Sequence, residues 1–123
     1  MPQIQRRVDQ LLAARQVLIT GMIEGELLGG AGTEKEFDEL KDLLSGLGRI
    51  EEERPDWAAA ARMVFDLRRL GATVPFTDAL IARLASRVGA GIVHADGDFT
   101  RLCAHFGIRQ EDLTRLVRGS RGR

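Results

Sequence analysis

Apolar residues recur every three or four positions along most of the chain, and this spacing predicts short amphipathic helices. The clearest helix spans residues 77–88, and its apolar face is made of Leu80, Ile81, Leu84, Ala85 and Val88. Further helices are predicted over residues 6–14, 22–28, 33–47, 55–70, 98–105 and 110–117. Glycines follow several of them, as is common where a helix ends in the left-handed region.

Two short β-branched runs, residues 17–19 and 92–94, predict strands, and residues 49–52 predict a weaker edge strand. Strands that alternate with helices favour an α/β fold with a mostly parallel sheet. The sequence contains no internal repeat and no glycine-rich phosphate loop. We therefore expect a single domain over residues 1–118, followed by a disordered tail at residues 119–123.

The helix that opens at Pro55 carries apolar side chains at relative positions i, i+4, i+7 and i+8. These residues are Trp57, Ala61, Val64 and Phe65. Such spacing places all four on one side of a helix, so it predicts a single buried stripe.

Composition is that of an ordinary globular protein, with 44% hydrophobic and 29% charged residues in a chain of 123. No apolar run approaches the roughly 20 residues of a membrane helix, and the polar N-terminus has no signal-peptide core. The single cysteine, Cys103, excludes an internal disulfide and a thiolate zinc site. Cytoplasmic localisation is the default expectation.

Charge is unevenly distributed along the chain. Residues 1–53 hold 6 basic and 11 acidic side chains, a net of −5, whereas residues 54–123 hold 12 basic and 7 acidic, a net of +5. The basic side chains of the second half are all arginine, which forms forked contacts with phosphate. A nucleic-acid surface is one interpretation; solvated helix faces with an arginine-rich codon usage are the more ordinary one.

Four carboxylates stand at positions where acidic residues have specific uses. Asp96 and Asp98 follow the strand at 92–94, Asp78 lies at the start of the clearest helix, and Glu26 interrupts an apolar helix. Residues just past the carboxyl ends of parallel strands face a shared crevice. Clustered carboxylates are tolerated when a hard cation such as Mg²⁺ or Mn²⁺ neutralises them, and such a site can hydrolyse phosphodiesters.

Each carboxylate also has an ordinary explanation. The helix dipole favours Asp78 in a first turn, and Asp98 is a good N-cap. Asp96 before a glycine suits a turn, and Glu26 suits a solvated helix face. Taken singly, these four signals do not specify a function.

In order and spacing, however, three segments together resemble the PIN domains of VapC-type toxins. The first is residues 71–82, a Gly-Ala-Thr-Val-Pro turn followed by Phe-Thr-Asp and an apolar helix. The second is residues 89–99, a strand followed by Asp-Gly-Asp-Phe, and the third is residues 26–30, Glu-Leu-Leu-Gly-Gly. The resemblance covers about residues 8–108.

The resemblance implies a three-layer α/β/α fold with a short, mostly parallel sheet. It implies that Glu26, Asp78, Asp96 and Asp98 bind Mg²⁺ or Mn²⁺, with the first three as the catalytic set. It further implies an RNA substrate, a cognate antitoxin protein as inhibitor, a homodimer and no membrane association.

Three departures from the family stand out. Its opening apolar strand, which ends in an aspartate and lies in mid-sheet, has no counterpart, and Asp9 follows no strand. We expect this strand to be absent, through a shortened chain or a misplaced gene start, or supplied by another chain through strand swapping. His94 stands where the family more often has threonine, and residues 110–117 predict a helix where it tends to have a strand.

The leading hypothesis is thus a metal-dependent endoribonuclease of a toxin–antitoxin pair, with the activity of this chain left open. A competing hypothesis is a non-catalytic PIN remnant that binds an antitoxin or a second copy. A third is a helical interaction domain whose carboxylates are helix caps.

Overall fold

A computed structural model of the chain describes residues 2–114 and residue 116. Helices and strands alternate along it: α1 (Pro2–Ala13), β1 (Leu18–Thr20), α2 (Gly21–Gly29), α3 (Glu34–Ser45), β2 (Gly48–Ile50), α4 (Arg54–Arg69), α5 (Phe76–Val88), β3 (Ile92–His94), α6 (Gly97–Phe106) and β4 (Gln110–Asp112). The tail expected at 119–123 lies outside the described residues. None of the described helices is long and apolar enough to cross a membrane.

The strands form two parallel pairs. β1 pairs with β2, so that Leu18 lies opposite Gly48, and β3 pairs with β4, so that Ile92 lies opposite Gln110. Over residues 2–114, no strand is hydrogen-bonded between the two pairs. The α/β class with parallel strands is therefore confirmed, and the sheet is divided where a central strand was expected to be missing.

Helix α5 forms the centre of the core. Six of its residues are buried: Ala79, Leu80, Ile81, Ala82, Leu84 and Ala85. The cluster around it includes Ile50 of β2 and Ile92 of β3, so both strand pairs pack into one apolar core. The helix ends at Gly89, whose φ of 72° is a left-handed conformation that glycine adopts without strain.

The helix predicted over residues 110–117 is wrong at its start. Residues Gln110–Asp112 form β4, because the backbone pairs with β3 and the N–H of Leu113 donates to the carbonyl of His94 at 2.8 Å. Gln, Glu and Asp have low strand propensity, so the strand depends on this long-range pairing. The family-like C-terminal strand is thus present; residues 115 and 117 are outside the described residues.

The buried stripe predicted on α4 is also wrong. Trp57 is 48% exposed and Phe65 is 39% exposed, whereas the residues that face the core are Asp56, Ala60, Met63 and Leu67. The spacing of apolar residues does not predict this buried face, because one of its four positions is the charged residue Asp56. The helix is therefore rotated so that two aromatic side chains point towards solvent.

Asp56 ties α4 to α5 through a buried charge network. Its side chain is fully buried; one oxygen accepts from Nε of Arg83 at 2.9 Å and of Arg87 at 3.0 Å, and the other accepts from the N–H of Glu53 at 2.8 Å. Burial by itself would raise the pKa of Asp56, but these donors outweigh it and lower the pKa. Asp56 is therefore held as a charged, fully bonded group.

We expect Asp56→Asn to lower the free energy of unfolding by about 3 kcal/mol, because it leaves two guanidinium groups facing an uncharged side chain. The matched control is Asp66→Asn on the same helix, which breaks the surface pair with Arg62 (2.9 Å) and should cost about 0.5 kcal/mol. Urea unfolding at neutral pH measures both variants. Equal losses in the two would contradict the role assigned to Asp56.

Candidate metal centre

Three aspartates from different parts of the chain meet at one site. Asp78 lies in the first turn of α5, Asp96 follows β3, and Asp98 lies in the first turn of α6. One oxygen from each side chain can be chosen such that all three lie within 4.8 Å of one another. Asp78 and Asp98 are half-buried and Asp96 is exposed, so the group opens to solvent.

The loop after β3 positions two of these side chains. Asp96, and not Asp98 as predicted, is the N-cap of α6, and its Oδ1 accepts from the N–H of Asp98 at 2.9 Å. Asp98 is thereby placed in the first helical turn, where its Oδ1 also accepts from Nη2 of Arg101 at 2.7 Å. The capping turn thus presents both carboxylates towards Asp78.

The three carboxylates repel one another. Burial, followed by the charges of Asp96, Asp98 and Glu26, raises the pKa of Asp78 from 3.8 to about 6. Among the described residues, no cation pairs with Asp78 or Asp96. With Arg101 offsetting the charge of Asp98 alone, the group carries net negative charge near neutral pH, which is the environment expected of a functional site.

Glu26 stands apart from this cluster. It is exposed on α2, the helix that Thr20 caps at the end of β1, and it lines a groove between α2 and α3 with Leu27, Leu40 and Leu43. Its charge contributes to the raised pKa of Asp78, so it lies near the close group without joining it. Of the four predicted ligands, the structure brings three together.

His94 supports the loop that carries Asp96. The imidazole is buried; Nδ1 accepts from the N–H of Asp96 at 3.3 Å, and Nε2 lies 2.8 Å from Oε1 of Gln110. Because Nδ1 is an acceptor, the proton is assigned to Nε2, which donates to Gln110. These hydrogen bonds give His94 a positioning contact that the sequence did not reveal.

Asp112 is an acidic residue that the predicted C-terminal helix concealed. It accepts from Oγ1 of Thr100 at 2.7 Å, and from Oγ1 and N of Thr114 at 2.6 and 2.9 Å. The side-chain bonds from Thr114 and Thr100 and the backbone bond from Thr114 lower the pKa of Asp112 to about 2. With its oxygens satisfied, Asp112 braces β4 against α6 and is not counted as a metal ligand.

A comparison with known proteins decides the family. The PIN domain family model matches residues 3–104, which is most of the chain. This chain belongs to the PIN domain family. The membership confirms the three-layer α/β/α class that the resemblance implied.

This PIN domain is similar to several mycobacterial proteins. It is 39% identical over 88 residues to VapC ribonuclease Mb1587 of Mycobacterium bovis and to Ribonuclease VapC11 of Mycobacterium tuberculosis, over 70% of this chain and 66% of each relative. Ribonuclease VapC18 of Mycobacterium tuberculosis is 28% identical over 107 residues, 84% of this chain and 78% of the relative. The chain thus spans slightly less than two thirds of the length of the first relatives.

The raised pKa of Asp78 gives a test in the metal-free PIN domain. A carboxyl whose pKa is raised by folding stabilises the folded state below its unfolded pKa of about 4, and this contribution is lost as the pH rises through about 6. At pH 7 we expect Asp78→Asn to be more stable than the wild type by about 1 kcal/mol, discounted for partial exposure. Near pH 4 the two should be equally stable.

Urea unfolding in EDTA between pH 4 and pH 7 measures this difference. Asp38→Asn, on the exposed surface of α3, is the control for loss of a carboxylate outside the cluster. A stability difference for Asp78→Asn that does not change with pH would show that burial and the neighbouring charges do not raise the pKa of Asp78.

Proposed function

We propose that this PIN domain is a VapC-type, metal-dependent endoribonuclease in which Asp78, Asp96 and Asp98 bind Mg²⁺ or Mn²⁺. The observation that carries the proposal is the convergence of these three carboxylates within 4.8 Å. The names of its relatives, which are ribonucleases, supply the reaction class. An RNA substrate, an antitoxin inhibitor, a homodimer and a cytoplasmic location belong to the same proposal.

The residues present fit a hard divalent cation. All donors in the group are carboxylate oxygens, which Mg²⁺ and Mn²⁺ prefer, and the only thiol, Cys103, is buried on α6. A cation between the three side chains would offset both the burial of the Asp78 carboxylate and its repulsion by the neighbouring carboxylates, which together raise its pKa. When bound, such an ion places positive charge beside the scissile phosphate and polarises an attacking water.

We assign metal binding, positioning of the loop and orientation of the attacking water to different side chains. Asp78, Asp96 and Asp98 hold and orient the ion, and the hydrogen bond from Asp96 to His94 fixes the loop between β3 and α6. Glu26 lies near the close group but outside it, and we propose that it orients the water that attacks the phosphate. This catalytic set of Glu26, Asp78 and Asp96 remains a proposal.

The nuclease hypothesis is tested by incubating the purified chain with pooled tRNA and rRNA, with and without Mn²⁺. We expect cleavage that requires Mn²⁺ and falls at least 100-fold in Asp96→Asn, as is typical when a transition-state contact is lost. Excess Mn²⁺ should also raise the melting temperature of the wild type more than that of the variant, because a ligand of the folded state stabilises it. Asp38→Asn serves as control.

Metal-dependent stabilisation without cleavage would favour the second candidate, a non-catalytic module that binds an antitoxin or another copy. The divided sheet supports this alternative, because over the described residues three carboxylates converge without a fourth and no strand joins the two pairs. Absence of both cleavage and metal-dependent stabilisation would contradict the proposed metal site itself.

We further propose that an extended segment, contributed by a second copy or by additional chain, fills the space between β1 and β3. Both strands present an edge that pairs with no strand over residues 2–114, and unpaired edges bind strands readily. Both also lead into the acidic site: β1 runs into the helix of Glu26, and β3 into Asp96.

An apolar strand ending in aspartate, fused before Pro2, should raise the free energy of unfolding and tighten Mn²⁺ binding. The same strand ending in asparagine should stabilise the fold without tightening Mn²⁺ binding. This comparison separates the effect of completing the sheet from the effect of adding a fourth carboxylate to the three aspartates. A strand with prolines at alternate positions is the control that cannot pair. Equal behaviour of all three fusions would contradict the proposal.

A further inference from the structure

We infer that the outer face of α4 binds single-stranded RNA, with Trp57 and Phe76 as a stacking platform and nearby arginines as phosphate contacts. The inference rests on the proposed nuclease function and extends it, because it assigns the substrate a binding surface outside the carboxylate cluster. The surface, here called the α4 platform, consists of Trp57, Arg62, Phe65, Arg68, Arg69 and Phe76.

The platform contains a pair of exposed aromatic rings, Trp57 and Phe76, and a separate exposed ring, Phe65. The rings of Trp57 and Phe76 lie 6.1 Å apart between centroids with an interplanar angle of 13°, so they form a stacked pair. Trp57 is 48% exposed and Phe76 is 38% exposed, so the pair is open to solvent while the opposite side of α4 packs into the core. Rings that are stacked and exposed offer a π-face to a nucleobase.

Two arginines lie next to the ring of Phe65. The guanidinium carbons of Arg62 and Arg69 lie 5.2 and 5.6 Å from the centroid of Phe65, which is itself 39% exposed. Arg68 is also exposed on α4, one turn after Phe65. Among the described residues, only Arg62 of these three arginines takes part in an ion pair, with Asp66. The platform therefore combines π-faces with cationic groups, as single-strand binding surfaces do.

The platform and the carboxylate cluster each contribute one residue to the first turn of α5. Phe76 is the first residue of α5, and Asp78 lies in the same turn. α5 is also the most buried helix, so it holds both features in a fixed relationship. A strand of RNA stacked on Trp57 would thus be held at the end of α5 where its backbone is to be cleaved.

A second copy of the chain is a poorer occupant of this surface. A two-fold interface places the same patch on itself, so the three arginines would meet the same three arginines with only Asp66 to offset them. A largely apolar protein partner would have to desolvate those guanidinium groups. RNA satisfies both halves of the platform, because bases stack on the rings and phosphates pair with arginine.

Trp57 provides a direct probe, because the chain has one tryptophan and no tyrosine. The full chain, kept in EDTA so that RNA is not cleaved, is titrated with an unstructured oligoribonucleotide of about 12 nucleotides. We expect saturable quenching of Trp57 emission, with an affinity that falls as salt rises. Anisotropy of the same oligonucleotide carrying a fluorescent label measures the variants.

Phe76→Leu and Arg69→Gln should each weaken binding at least fivefold, consistent with loss of one stacking or phosphate contact. Trp57→Phe should retain most of the affinity and Trp57→Ala should lose it. Arg6→Gln, an exposed arginine on α1, is the matched control and should bind as the wild type does. Circular dichroism melting verifies that each variant is folded.

Three results would overturn the inference: no binding at low salt, binding without any change in Trp57 emission, or emission that changes with protein concentration alone and not with RNA. The last would show that the surface contacts a second copy. Metal-dependent cleavage together with Trp57 emission that RNA does not change would contradict the platform and support the nuclease function. Quenching of Trp57 emission and weaker RNA binding by the variants, without cleavage, would support the platform and contradict the catalytic proposal.

Discussion

Burial of α5 is the constraint on which the remaining structure depends. Leu80 and Leu84 are fully buried, and each such leucine stabilises the fold by roughly 2 kcal/mol relative to an exposed one. The same helix packs against α4 and α6, and its core cluster includes residues of both strand pairs. With no strand hydrogen-bonded between those pairs in the described residues, α5 is the element that unites them. The position of Asp78 follows from that packing.

Two aspartates near α5 show how surroundings decide what a carboxylate does. Asp56 is more deeply buried, but Arg83, Arg87 and the N–H of Glu53 hold it, so its pKa is lowered. Asp78 is less buried, but no donor among the described residues offsets that burial and its neighbours are other carboxylates, so its pKa is raised to about 6. The first arrangement stabilises a helix pair, and the second stores repulsion that a cation can relieve. Membership in the PIN domain family is consistent with assigning the chemistry to the second.

The pairing of buried Asp56 with two arginines also explains why the outer face of α4 is unusual. Because Asp56 turns inward to meet Arg83 and Arg87, the aromatic side chains at positions 57 and 65 are turned outward. An exposed Trp57 stacked on Phe76 loses hydrophobic burial that a rotated helix would have gained. The proposed RNA platform gives that exposure a use, and one of its residues, Phe76, lies on the helix that carries Asp78.

The sequence by itself determined the helix pattern, the strands near residues 18–20 and 92–94, and the motifs that identify the family. These features are local: periodicity, glycine stops and short ordered motifs lie within a few consecutive residues. It also singled out Asp78, Asp96 and Asp98, because each stands next to a strand or helix end that can be read from neighbouring residues.

Only the tertiary structure decided the features that depend on distant residues. Gln110–Asp112 became a strand because β3 was available to pair with it, although its own residues have little strand propensity. The buried face of α4 was set by arginines about 30 positions further along the chain. The capping role of Asp96, its contact with His94 and the separation of Glu26 from the three aspartates likewise came from geometry. Local patterns encode which elements form, whereas long-range pairing and charge compensation decide which faces meet.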